Sequence, residues 1–168
     1  AGAVSLTIVL VEAAAIHHDR LRSRLDEYDY TVQVDYLTGS LLPAKLYHKA
    51  QQLREVIRAK VLELLEKVDV LALPASSEPA PLVSTVEGVK SKEHARQRLS
   101  GRRSFTSMFN LASVPALSVP CGFTNLDGKD LPMGLQLVGR PFEDGLLLKV
   151  AHAYGQSTSW HTRRPPEL

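Results

Sequence analysis

With 168 residues, 44% of them apolar and 23% charged, the chain is long enough to bury a core and too apolar to remain disordered. A formal net charge of +2 is too small to point to nucleic acid or a membrane surface as a partner. No apolar run approaches the roughly 20 residues of a membrane span, and a lone cysteine, Cys121, makes no internal disulfide, which favours a reducing, cytoplasmic setting. The stretch Val4–Ile16 has no basic region before it and carries Glu12, so it reads poorly as a signal peptide. The chain opens at Ala1 without an initiator methionine, which suggests a processed, trimmed or excised chain.

In chain order, Ser5–Val11 is rich in β-branched and apolar residues and predicts a buried strand. Glu12–Tyr28 turns helical, with Ala14, Leu21, Leu25 and Tyr28 at helical spacing. Thr38-Gly39-Ser40 and Pro43 punctuate a loop. Ala44–Val68 predicts a helix with one apolar stripe through Leu46, Ala50, Leu53, Ile57, Val61, Leu64 and Val68. Asp69–Leu73, stopped by Pro74, predicts a buried parallel strand. A Pro/Ser/Ala loop runs to Pro81, Leu82–Glu93 is polar without a pattern, and Glu93–Leu111 is helical in character. Pro115–Pro120 predicts a short strand between prolines, and Met133–Gly139 a second. The turn signal Asn125-Leu126-Asp127-Gly128 lies between them and allows a hairpin. Glu143–Tyr154 is helical, and the proline-rich end from Arg163 is extended. Helices alternating with strands define an α/β chain, a partial mixed sheet flanked by helices, read as one unit over residues 1–168. It has no internal repeat and leaves sheet edges open for neighbours.

The residues alone name no active site. His17 and His18 are adjacent and so diverge on a helix, and His48, His94, His152 and His161 lack ligand spacing, so no metal site is predicted. Neither a phosphate loop nor a dinucleotide fingerprint occurs. Cys121 and the pair Ser76-Ser77 follow strands, where nucleophiles often sit, but no base is in view for either. Arg103 and Thr106 fall on the predicted helix leading to the Pro115 strand, and an arginine fork suits carboxylate recognition.

The run from Phe109 to Gly122, Phe-Asn-Leu-Ala-Ser-Val-Pro-Ala-Leu-Ser-Val-Pro-Cys-Gly, resembles the amidase signature family. So does Leu-Pro-Met-Gly-Leu-Gln-Leu-Val-Gly-Arg-Pro from Leu131 to Pro141. The resemblance extends to Glu12-Ala13, to Asp69–Pro74, and to Trp160-His161 with Arg163-Arg164-Pro165. It implies tight turns or close backbone approach at Gly122 and Gly134, a strand end at Pro120, and amides at Asn110 and Gln136 that satisfy loop backbone groups. It also implies hydrolysis of a carboxylic amide by a Ser–cis-Ser–Lys triad, without metal or cofactor. The Gly/Ser-rich run that carries both serines is absent from the sequence, so no catalytic residue is assigned here. The chain then corresponds to the C-terminal part of such a domain. It supplies strands, helices and part of a pocket for a small amide, with Arg103, Thr106 and Phe109 as its substrate-binding residues. It is expected to be inactive alone, and either to self-associate or to pair with a signature-bearing chain.

In this family the amidotransferase members carry an aspartate seven residues before the motif asparagine, where this chain has Arg103. A positive charge repels an amino group, so the resemblance favours an acidic or neutral amide over glutamine. Two other readings stay open: a non-catalytic partner subunit or interaction module, and an independent hydrolase built on Ser76 or Cys121.

Overall fold

The computed structural model describes residues 1–80 and 105–164. They form two compact units, one built on Ala1–Ile57 and the other on residues 58–80 and 105–164.

The first unit is helical. Helix α1 spans Gly2–Ile16, α2 His18–Ser23 and α3 Tyr30–Leu41, and α4 (Ala44–Leu65) begins here. The strand expected at Ser5–Val11 is therefore a helix. A short apolar run does not distinguish the two, and α1 joins it to the strong helix formers Ala13–Ala15. Ile8, Leu10 and Ala14 are buried. The loop expected at Thr38-Gly39-Ser40 is also helical. Thr38 and Ser40 return their hydroxyls to the Val34 and Tyr36 carbonyls at 2.6 and 3.1 Å, a local bond that lets short polar residues sit inside a helix. Gly39 lies against α1, where a Cβ would stand 2.0 Å from the Leu10 carbonyl oxygen. Asp29 caps α3, its carboxylate accepting from the Thr31 N–H at 2.9 Å. Pro43 precedes α4, where its missing N–H costs nothing.

The second unit packs a three-stranded sheet with helices. Strand β1 is Leu71–Pro74, β2 Ala116–Leu126 and β3 Lys129–Val138, in the order β1-β3-β2. Both pairings are antiparallel, Leu71 opposite Val138 and Ala116 opposite Val138. Strand β1 is thus not the parallel strand expected. It is an edge with alternating exposure, the pattern of a strand covered on one face only. Pro120 does not end β2 either. The strand passes through a register shift between Pro120 and Gly122, with Gly122 at φ +144, and runs on to Leu126. An edge strand tolerates that proline because no ladder bond is asked of it there. Asp127 and Gly128 turn the hairpin with φ +50 and +77, the signature of a type I′ turn. Gly128→Ala is expected to cost about 1 kcal/mol, since only glycine enters that region freely. Equal melting temperatures for the two proteins would contradict this turn.

Helix α5, Ser107–Ala112, ends with Ser113 in the left-handed region. The Val114 N–H reaches back to Phe109 and the Ser113 N–H to Asn110, a Schellman closure. Helix α6 is Asp144–Ser157. Val61, Leu65, Phe109, Leu111, Ala112, Leu137, Val138 and Leu147 make the core. Arginines finish two helices. Arg58 donates to the Ala112 carbonyl at the end of α5, and Arg140 Nε donates to the Leu65 carbonyl at the end of α4 at 2.9 Å. Both satisfy carbonyls that a helix leaves unpaired.

The short 3₁₀ turn Trp160–Thr162 returns the chain to the hairpin. Arg163 stacks over Phe123, 3.8 Å from the ring centroid, and faces Asp130 at 3.7 Å. Among the described residues no helix is long and apolar enough to cross a membrane.

Candidate functional site

The first signature-like segment runs from α5 into β2 and the second fills most of β3, and the glycine of the second serves close approach. The Ala75 N–H donates to the Gly134 carbonyl at 2.9 Å. A Cβ on Gly134 would meet Ser118 Oγ at 2.8 Å and the Ala75 side chain at 3.2 Å. The loop leaving β1 thus rests on the hairpin where β2 and β3 pair Pro120 with Gly134. Ser118, Gly134 and the start of the Ala75–Glu78 loop lie together midway along the hairpin, where β1 ends.

Among the described residues, Ser76 and Cys121 are each engaged with a backbone carbonyl. Ser76 donates its hydroxyl to the Glu78 carbonyl at 2.6 Å, a local turn bond. Cys121 sits half-buried beside the bulge, its sulfur 3.5 Å from the Met133 carbonyl. A nucleophile needs a base in reach, and the partner found for each of these two among the described residues is a carbonyl. His17 is engaged within the first unit: its Nδ1 is 2.9 Å from the Tyr28 hydroxyl, and its ring stacks on Tyr36 with centroids 4.9 Å apart. Among the described residues no three His, Cys, Asp or Glu side chains gather as a metal site would require.

Of the residues expected to bind substrate, Thr106 is the exposed N-cap of α5, and Phe109 is a core residue at 2% exposure. Arg103 lies outside the described residues. Asn110 is exposed on α5. Gln136 is 3% exposed and its Nε2 has no hydrogen-bond partner, so that amide does not satisfy loop backbone as expected. Sequence reading passed over Arg140, whose side chain ties four groups together. Besides Leu65 it donates to the Val68 carbonyl at 3.2 Å, and it pairs with Asp69 at 3.1 Å and Glu143 at 3.4 Å. Its place in the Leu-Val-Gly-Arg-Pro run was the available signal.

A hairpin carrying both motif strands, with a proline-ended strand beside it and helices around it, is an α/β arrangement that known proteins share. The Amidase family model matches residues 13–148, well over half of the chain. The chain belongs to the amidase signature family. The A subunit of glutamyl-tRNA(Gln) amidotransferase from Chloroflexus aggregans is 46% identical over 119 residues, 71% of this chain and 22% of that protein. Its counterpart from Thermodesulfovibrio yellowstonii is 42% identical over 119 residues, 71% of this chain and 23% of the relative. A crystal structure of an amidase is 31% identical with a TM-score of 0.71, over 93% of this chain and 35% of that one. The chain thus spans less than a quarter of the length of these two curated relatives.

Proposed function

We propose that this chain works as the C-terminal part of an amidase that hydrolyses a carboxylic amide C–N bond, with the Ser–cis-Ser–Lys triad supplied from outside residues 1–168. The observation that carries this reading is the hairpin: the strand halves of both family motifs, Ala116–Gly122 and Leu131–Val138, pair as β2 and β3, while the sequence holds no Gly/Ser-rich run for the nucleophile. In this reading residues 1–168 act as one part of the larger domain. Thr106 and Arg103 reach the substrate, and Phe109 backs the pocket wall from the core. Arg103 favours an acidic or neutral amide by repelling an amino group. Neither metal nor cofactor is called for, and the lone cysteine suits a reducing cytoplasm.

The isolated chain is expected to show no amide hydrolysis above the uncatalysed background. Joined to a signature-bearing segment, it is expected to turn over carboxylate-bearing amides faster than amine-bearing ones. Robust turnover by the chain alone, lost in Ser76→Ala or Cys121→Ala, would replace this reading with an independent hydrolase. A clear preference of the joined protein for the amine-bearing amide would remove the role given to Arg103.

A further inference from the structure

Phe142 carries two costs at once. Its backbone is left-handed at φ +67, and its side chain is 98% exposed. A bulky residue seldom enters that region without glycine or asparagine character, and an aromatic ring in water forgoes the burial that normally stabilises it. The flanking chain is held firmly. The Gly139 N–H bonds the Pro115 carbonyl and the Glu143 N–H bonds the Arg140 carbonyl, each at 3.1 Å. Arg140 itself is fastened to Leu65, Val68, Asp69 and Glu143. Those bonds set the loop beside the end of α4, where Leu64 is 49% exposed and Val68 42%. Two residues past Phe142, Asp144 lines a groove of about 180 Å³ together with Leu147 and the 62% exposed Leu148.

Strain at one residue is an outlier from which a role can be inferred. We propose that Phe142 is a preorganised docking knob, and that its occupant is the signature-bearing remainder of the amidase domain. This rests on the reading above, in which the triad comes from outside these residues. It adds the surface that receives that part. The choice of occupant follows from the length of the relatives: in the solved amidase the matching segment is 35% of a longer chain, so most of that protein lies outside the part matched here. A rigid aromatic on a fixed loop loses little entropy on docking, which is the property of an interface anchor.

The test mixes the full chain with a probe, the Chloroflexus aggregans relative lacking the 119 residues that match this chain, shown to be folded by its own cooperative melt. The parent chain is expected to bind it, and Phe142→Gly to bind about 30-fold more weakly or worse. The same variant should melt at or above the parent's temperature, because glycine releases the backbone strain. Equal binding by parent and variant overturns the knob while leaving the partner reading intact. No binding by the parent overturns both. Hydroxyl-radical oxidation of Phe142 gives a second measurement that needs no probe. In the dilute chain it should be fast. Slow oxidation there overturns the proposal, and oxidation that slows as the chain is concentrated assigns the knob to a second copy instead.

Discussion

Gly39→Ala is expected to be the most damaging single-methyl change in the first unit, at about 3 kcal/mol. The added Cβ would stand 2.0 Å from the Leu10 carbonyl oxygen, 2.5 Å from its carbon and 3.1 Å from Ala14 Cβ. Ordinary C···O contacts begin near about 3.3 Å, so α1 and α3 would have to separate by more than an ångström. The atoms struck first are backbone atoms inside a helix, and no rotamer change moves them. Overpacking a core usually costs about 1–3 kcal/mol and occasionally more. The small gain in helix propensity, about 1 kcal/mol for Gly to Ala, does not offset it. The lost contact also loosens Leu10 and Ala14, which are 8% and 4% exposed. Thermal melts read the effect as a fall of about 4–8 °C per kcal/mol for a unit of this size. Gly2→Ala is the matched control, because a Cβ there meets nothing within 4 Å. If both variants melt like the parent, α1 and α3 do not cross at Gly39. Amide exchange should place the loss in α1 and α3, with the hairpin unaffected.

What could be read ahead of the structure depended on how local the cause was. The hairpin was legible because Asp-Gly is its own reason for the turn, and the residues on either side pair as the turn dictates. Helix α4 was legible from its period, yet its stripe was only half right. Ala50 and Val61 are buried, while Leu46, Leu53 and Leu64 are 50%, 39% and 49% exposed, and Leu65, outside the stripe, is 1% exposed. Periodicity marks a face, and the neighbours decide which edge of it is covered. Helix α1 was misread because Leu-Thr-Ile-Val-Leu-Val has strand composition at a length that either state accepts. Gly39 looked like a loop glycine because the α1 backbone that needs its missing side chain is about thirty residues away. The direction of β1 was beyond reach for the same reason: its partner β3 is more than sixty residues on. The candidate site divides the same way. The missing Gly/Ser run is visible in the string of letters, whereas the use of Ser76 for a local turn bond is visible only in three dimensions.

Arg140→Ala is expected to cost the second unit about 2–3 kcal/mol, and the reason lies in carbonyls more than in charges. Asp69 is 81% exposed at its side chain and Glu143 38%, and ion pairs in such surroundings contribute about 0–1 kcal/mol each. The Leu65 and Val68 carbonyls are different. Leu65 is the last residue of α4, where a helix leaves carbonyls without intrahelical donors, and Val68 lies three residues beyond it in the turn that leads to β1. The guanidinium reaches them with two separate N–H groups, at 2.9 and 3.2 Å. Hydrogen bonds from a charged donor contribute about 1.5–3 kcal/mol, and a cation at a helix C-terminus is further favoured by the helix dipole. Arg140→Lys keeps the charge but has no fork to span two carbonyls, so it should recover only part of the loss. Asp69→Asn and Glu143→Gln should each move stability by less than about 1 kcal/mol. The Arg140→Ala deficit should also persist in 1 M salt, where the Debye length falls to about 3 Å and exposed ion pairs are screened. If Asp69→Asn cost as much as Arg140→Ala, or if salt erased the difference, the arginine would be an ion-pair hub and not a helix cap. The Arg-Pro of the family-like run would then owe its place to charge. Otherwise it owes it to the end of α4, which the same side chain fastens to the loop that carries Phe142.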